Sequence, residues 1–245
     1  MTTFKQRPLC TLKFSTRGHS YEKNLATLLS LVDAAPADAV VTAPEVCLTN
    51  FDYDRFDEAA AFAVEADKGL RAHSSDKTVI LTMIEKRGGK FYNFAKVYHR
   101  GRMVHEQAKA KLFLFGGEHK WFAAGNPEDI GIFEIEGIRM GILICFELRF
   151  TALWRQLAGA EIIAVPAQWG TLRAEHFDVL GKALAIANEC YVLQSDTADR
   201  EMTGLSGIVT PNGVCERNGA APLLKALYDA SEVLKMRRYL DVGIR

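Results

Sequence analysis

The ten residues Gly141–Phe150, GILICFELRF, constrain this chain more than any other stretch. Ile142, Leu143 and Ile144 form a short apolar run that reads as a buried strand. The pattern then breaks at Cys145 into Phe-Glu-Leu-Arg, and from Thr151 the spacing of Leu153, Trp154, Leu157 and Ala158 turns helical. Cys145 is therefore expected at a strand-to-helix turn. A thiol there can feel backbone N–H groups and the positive end of a helix dipole, both of which favour its thiolate. A buried cysteine is also often a plain core hydrophobe, so the turn alone assigns no role.

The surrounding pattern predicts alternating strands and helices. Strands are expected at Leu9–Phe14, around Ala39-Val40-Val41, and at Thr78–Ile84. The glycine pair Gly88-Gly89 reads as a hairpin turn before Phe91–Val97, and Gly101-Arg102 as a second turn before Met103–Lys109. Helices are expected over Glu22–Ala35 and from Phe56 to about His73. Trp121–Pro127 reads as a loop, and Ile132–Ile135 and Met140–Ile144 as strands joined around Gly137. Glu161–Val165, Tyr191–Gln194, Ser206–Thr210 and a last strand near Val214 flank a helix over His176–Asn188. The tail from Pro222 mixes helix and strand signals, and its basic run Lys235-Met236-Arg237-Arg238 reads as a solvated or subunit-contact face. No repeat or Gly/Ser linker interrupts the pattern, so one domain over residues 1–245 is expected. Alternation with hairpins implies helices covering mixed sheets that pack on each other.

Charge and cysteine usage narrow the function classes. Thirty Lys plus Arg balance thirty Asp plus Glu, so no excess points to nucleic acid or an anionic membrane. Cys10, Cys47, Cys145, Cys190 and Cys215 are scattered without a CxxC pair, which argues against a disulfide framework or a zinc site. No stretch approaches 18 continuous apolar residues, and MTTFKQRPLC lacks a signal-peptide core. A soluble protein of the reducing cytoplasm is expected, with no cofactor, no metal and no nucleic-acid or membrane partner.

Three stretches place polar groups where a strand has just ended: Glu45 after Pro44, Lys109-Ala110-Lys111-Leu112-Phe113 followed by Gly116-Gly117-Glu118, and the Cys145 turn. Singly, each has an ordinary reading: a solvated acid, an edge strand guarded by charge, a core thiol. A cysteine nucleophile needs a base for its proton and donors for the oxyanion. Glu45 can serve as the base, a lysine as one donor and the Phe146 N–H as another. Cys145 with His119 or His176 would instead make a Cys–His hydrolase or acyltransferase, and a binding or assembly protein without activity is the non-enzymatic alternative.

In order and spacing, Pro44-Glu45, Lys109-Ala110-Lys111-Leu112-Phe113 and Cys145-Phe146-Glu147-Leu148-Arg149-Phe150 resemble the nitrilase superfamily of carbon–nitrogen hydrolases. Tyr92-Asn93, Phe122 to Gly125, Pro166-Ala167-Gln168-Trp169 and Pro211-Asn212-Gly213 extend the likeness over nearly the whole chain. Lys109 through Lys120 looks most like the ω-amidase-type branch. The resemblance implies an α/β fold, a four-layer α-β-β-α sandwich, and homodimers or higher homo-oligomers that bury the helix after the Cys145 turn. It implies Cys145 as nucleophile, Glu45 as general base, Lys109 rather than Lys111 as the oxyanion-side cation, and Glu118 as a glutamate positioning substrate or water. Phe113, Phe146, Trp169 and His176 are expected to line or support the site.

The sequence departs from the family where Lys111 stands for a histidine, Leu184 and Ala187 for an arginine and a glutamate, and Gln168 for an asparagine. Lys111 is expected to add charge near the site mouth, and the Leu184/Ala187 change to delete one ion pair. The expected reaction is hydrolysis of a small linear ω-amide through a thioester, with N-carbamoyl amines or other aliphatic amides as the alternative. Arg149, Arg173 or Lys111 would suit a substrate carboxylate.

Overall fold

The apolar runs become strands whose side chains alternate between two cores. In the computed structural model, which describes residues 6–244, the first elements are β1 (Gln6–Leu12), α1 (Tyr21–Asp33), β2 (Val40–Thr42), α2 (Phe56–His73), β3 (Thr78–Arg87), β4 (Lys90–His99) and β5 (Arg102–Ala108). After short 3₁₀ turns come β6 (Phe133–Ile135), β7 (Ile138–Ile142), α3 (Thr151–Gln156), β8 (Ile162–Pro166), α4 (Ala174–Asn188) and β9 (Tyr191–Ser195). The described chain closes with β10 (Gly207–Val209), β11 (Cys215–Arg217), β12 (Leu223–Asp229) and α5 (Ala230–Tyr239).

Two six-stranded sheets result, ordered β12-β1-β2-β3-β4-β5 and β11-β10-β9-β8-β7-β6. Each has a parallel centre, β1-β2-β3 in one and β7-β8-β9 in the other, with antiparallel strands outside it. Side-chain alternation with period two then sorts residues into layers. Leu9, Val40 and Ile80 share a core with Ile162, Ala164 and Leu193 of the second sheet, which continues to Leu153, Phe177 and Leu184 of α3 and α4. Their neighbours Cys10, Val41, Val79 and Leu81 face the other way, onto Leu28, Val32, Phe62 and Leu70 of α1 and α2. This is the expected α-β-β-α sandwich.

Local chemistry explains several boundaries. Ser20 caps α1 by accepting from Lys23 N–H at 3.2 Å. Gly88 and Gly89, at φ +56° and +77°, make the two-residue turn between β3 and β4 that needs positive φ at both positions. The first strand begins and ends earlier than the apolar alternation suggests, because antiparallel pairing with β12 reaches back to Gln6. The expected loop Trp121–Pro127 holds except for one bridge, Phe122 to Phe91. The basic run of α5 is corrected at one position. Arg237 turns inward, donating to Gly159 O at 3.3 Å and Ala160 O at 2.6 Å, while Lys235 and Arg238 are exposed. Leu184, where the family's arginine is replaced, joins the core. Among the described residues, no helix is long and apolar enough to cross a membrane.

Candidate active site

Three loops leaving the strands carry the polar groups to one place. Pro44 ends β2 and Glu45 follows, its N–H donating to Ala167 O at 3.2 Å across to the second sheet. The next residue, Val46, has φ +40°, a strained conformation for a β-branched residue, and its N–H donates to Thr82 Oγ1 at 2.7 Å. Lys109 follows β5, with its N–H donating to Asn93 O at 2.8 Å and its carbonyl accepting from Gly125 N–H at 2.9 Å. Gly125 has to be glycine there, since a Cβ would lie 2.4 Å from Ala108 O. Cys145 sits at φ +47°, three residues past the end of β7.

Side chains from these loops converge in a buried network. Lys109 Nζ donates to Glu45 Oε1 at 2.7 Å and to Glu118 Oε1 at 2.8 Å. Asn93 Nδ2 donates to Glu45 Oε1 at 2.8 Å, and Gln168 N–H to Glu45 Oε2 at 3.2 Å. Glu118 Oε2 accepts from Phe113 N–H at 2.9 Å. The Cys145 thiol donates to Gln168 O at 3.7 Å, and the Glu45 carboxylate acts on it through its charge. Glu45 and Lys109 are 0% and 1% exposed, so the edge-strand reading of Lys109 does not hold.

Burial sets the proton affinities. It raises the Glu45 carboxyl above its usual range, against the pull of Lys109 and with the push of Glu118. Burial alone would depress the Lys109 ammonium, but Glu45 and Glu118 outweigh it and hold the proton on. Burial, and then Glu45, drive the Cys145 thiol well above its ordinary value. Burial thus outweighs the backbone N–H groups and helix end that were expected to favour the thiolate. The chain after Cys145 is a five-residue 3₁₀ turn and a six-residue helix, too short a dipole to offset desolvation and a nearby carboxylate. The thiol waits protonated near the Glu45 carboxylate.

Glu147 supplies what motif reading left unassigned. Its Oε2 accepts from Ile144 N–H at 2.7 Å, and its Oε1 from Ala110 N–H at 2.6 Å and Lys111 N–H at 3.3 Å. One carboxylate thereby ties the Cys145 turn to the Lys109 segment, while burial pushes it up to about 7. Asn93 and Asp196 were also missed as site residues. Asp196, 0% exposed, accepts from Trp169 N–H at 3.0 Å and from Thr203, fixing the loop beyond β8. Glu147 and Asn93 stand within the motifs quoted above but with no role attached, and Asp196 has no motif signal.

Beside Cys145 lies a recess of about 240 Å³ continuous with solvent. Phe113, Phe146, Trp169 and Gln168 line it together with Gly170, Arg149 and Arg173. Arg149 stacks 4.8 Å over the Trp169 ring and donates to His176 Nδ1 at 3.0 Å; Arg173 stacks 5.2 Å over Phe113. Neither guanidinium has an acidic partner among the described residues. Gln168 folds back onto Glu45 O at 3.0 Å and Asn50 Oδ1 at 3.3 Å rather than filling the recess. Lys111 is not at this mouth: it lies 5.5 Å over the Phe150 ring, in a neighbouring apolar groove. Neither His119 nor His176 lines the recess, and the thiol's hydrogen bond goes to Gln168 O rather than to either histidine, which removes the geometric basis for a Cys–His pair. Among the described residues, no group of three or more His, Cys, Asp or Glu is placed to hold a metal ion.

Comparison with known proteins bears on this geometry. The model of the carbon-nitrogen hydrolase family matches residues 16–217. A 2-oxoglutaramate amidase of Bacillus subtilis (strain 168) is 27% identical over 216 residues, 83% of each chain. A deaminated glutathione amidase of Escherichia coli O157:H7 is 31% identical over 208 residues, 79% of each chain. Among solved structures, a CN-hydrolase superfamily protein of Xanthomonas campestris superposes with a TM-score of 0.84 at 21% identity, covering 98% of each chain. A nitrilase-superfamily member of Saccharomyces cerevisiae gives 0.84 at 18% identity, covering 98% of this chain and 96% of its own.

Proposed function

The chain belongs to the carbon-nitrogen hydrolase family, and from that premise we propose that it is an amidase that hydrolyses a small carboxylate-bearing ω-amide through a thioester on Cys145. The observation that carries the reading is the contact set of Glu45: one carboxylate hydrogen-bonded to Lys109, to Asn93 and to the N–H of Gln168, whose carbonyl accepts from the Cys145 thiol at the edge of an open recess. That arrangement is a nucleophile with its base in reach and a fixed positive charge beside it.

In the mechanism the amide carbonyl carbon meets Cys145 Sγ. Sulfur attacks as Glu45 takes the thiol proton, so no free thiolate has to form in a buried site. The negative charge that develops on the carbonyl oxygen is met by Lys109 Nζ and the Phe146 N–H, which has no hydrogen-bond partner among the described residues. Removing one such donor costs about 100- to 1000-fold in rate. The tetrahedral adduct collapses as Glu45 passes its proton to the departing nitrogen, giving ammonia and an acyl thioester. Water, held by Glu45 and Glu118, then attacks the thioester, and Glu45 returns the proton to sulfur as the acid leaves. Phe113 and Trp169 wall the acyl chain, and His176 braces Arg149.

Arg149 and Arg173 support the carboxylate-bearing substrate. Two guanidiniums without acid partners at one mouth repel each other, and an anion between them relieves that repulsion. The relatives' names, 2-oxoglutaramate amidase and deaminated glutathione amidase, fit this class. We take residues 1–245 as one hydrolase domain, and its five free cysteines suit a reducing cytoplasm. We also infer a homodimer: Val179 and Ile186, seven residues apart on one face of α4, are 53% and 51% exposed, an apolar stripe suited to a second copy.

Ammonia release from a panel of ω-amides, neutral aliphatic amides and N-carbamoyl amines tests the reading, with Cys145→Ala alongside. Release from the carboxylate-bearing ω-amides, abolished in the variant with an unchanged circular dichroism spectrum, is expected. Turnover in Cys145→Ala near the unmodified rate sinks the nucleophile; release confined to neutral amides sinks the substrate class.

A further inference from the structure

Asn93 is the polar member of the site floor to which neither the motif likeness nor the reaction above assigns a role. It lies on β4, 1% exposed, beside the core residues Phe94 and Ala95. Its side chain donates to Glu45 Oε1 at 2.8 Å while its backbone carbonyl accepts from Lys109 N–H at 2.8 Å. One residue therefore grips the base by its side chain and the cation by its backbone.

The other end of that amide is informative. Asn93 Oδ1 is buried and has no hydrogen-bond partner among the described residues. Leaving a carbonyl oxygen unpaired in the interior is unfavourable. Flipping the amide would be worse, because Oδ1 would then face a carboxylate oxygen. The orientation is selected by the charge on Glu45 and by nothing on the opposite side. On Glu45 itself, Asn93 and Lys109 both occupy Oε1, leaving Oε2 to the Gln168 N–H. The thiol meets the same residue, at Gln168 O.

We propose that Asn93 is a positioning residue: it pins Glu45 by Oε1, keeps the carboxylate unprotonated and holds Oε2 toward the Cys145 thiol. The proposal rests on the reading of Glu45 and Cys145 as base and nucleophile. Its role differs from that of Lys109. The ammonium offsets the charge of two carboxylates at once, whereas the amide serves Glu45 alone. The titratable groups facing Glu45 are Lys109, Glu118, Cys145 and, from the turn before α2, Tyr53. Of these only Glu118 carries a negative charge that favours a proton on Glu45. A neutral donor that stabilises only the ionised form works against it.

The test is the pH dependence of Cys145 alkylation by iodoacetamide, which requires no knowledge of the substrate. It is measured on the unmodified enzyme, Asn93→Ala and Asn93→Asp, with thermal unfolding as the control for folding and amide turnover alongside. A hydrogen bond to an ionised acceptor moves its titration by about one to two pH units. The acid limb of alkylation is expected to move up by at least about one unit in Asn93→Ala, and further in Asn93→Asp, where a second carboxylate faces Glu45. Turnover near neutral pH should fall about ten- to hundredfold in kcat with KM little changed. A limb that stays in place in either variant, with the fold intact, overturns the proposal and leaves Asn93 as packing. If Asn93→Ala does not fold, the isosteric Asn93→Asp decides alone. An unmodified enzyme whose Cys145 does not alkylate overturns the nucleophile reading and this proposal together, an outcome separate from an unmoved limb.

Discussion

Two glutamates are equally buried in this molecule and are treated in opposite ways. Glu45, 0% exposed, receives Lys109, Asn93 and the Gln168 N–H. Glu189, 1% exposed, ends α4 at φ +50° with neither carboxylate oxygen partnered among the described residues. Arg237 acts on it only electrostatically, because its terminal nitrogens go to Gly159 O and Ala160 O. Burial raises both carboxyls. At the site floor that burial is matched by donors and serves chemistry; at the end of α4 it is matched by little. A buried acid is tolerable when its donors are supplied, and the two places should answer mutation with opposite signs.

The largest effect is expected at Lys109. Lys109→Met leaves Glu45 and Glu118 facing each other without their shared cation, and it removes an oxyanion donor. Turnover should fall about 100- to 1000-fold, and urea unfolding should show a loss of about 3–5 kcal/mol. Stability equal to the unmodified protein would mean that the network does not organise the floor.

Glu147 extends the comparison to an acid that ties loops together rather than reacting. In Glu147→Gln one of its ends meets an N–H with another N–H. A loss of about 2 kcal/mol is expected in denaturant melts, with kcat reduced because the Cys145 turn and the Lys109 segment lose their shared anchor. Full activity would show that the tie is dispensable.

Glu189→Gly should go the other way. Glycine takes positive φ without the Cβ penalty, and the unpartnered carboxylate disappears. A gain of about 1 kcal/mol is expected, seen as a rise of about 2–4 °C in Tm. A lower Tm would mean that the charge interaction with Arg237 outweighs strain and desolvation.

The smallest effect belongs to Glu136, between β6 and β7, an acid that is paired but about a third exposed, with its side chain 36% accessible. Arg7 above all, then Arg100, hold its carboxyl down to about 2 from the usual 4.5. Because the folded value lies below the unfolded one, this contribution is present above about pH 4.5 and lost as pH falls toward 2. Exposure screens it to below about 1 kcal/mol. Urea unfolding of Glu136→Gln should show stability lowered by a comparable amount at neutral pH, with the deficit shrinking as pH falls through about 4.5 toward 2.

Most of the fold was legible because its signals are local. The Phe56–His73 helix is visible in its periodicity, the β3–β4 hairpin in Gly88-Gly89, and the nucleophile turn in the break from Ile144 to Cys145. Glu45, Lys109 and Cys145 were legible as candidates because each is a polar or reactive residue soon after a strand, and Glu118 through the family resemblance. Asn93, Glu147 and Asp196 were not, because their partners lie 48, 37 and 27 residues away in the chain. The inward turn of Arg237 was hidden for the same reason: its acceptors are 78 and 77 residues distant.

The sequence by itself determined the alternating strands and helices, the turn that presents Cys145, and the residue types that make a hydrolase conceivable. Periodicity and turn chemistry depend on neighbours a few positions apart, so they can be read in one dimension. Only the tertiary structure decided that β12 closes against β1, that Lys109 lies between two carboxylates, that the thiol rests protonated, and that Arg149 and Arg173 rather than Lys111 guard the recess. Desolvation and charge pairing depend on what surrounds a group in space, and that is set when distant segments meet.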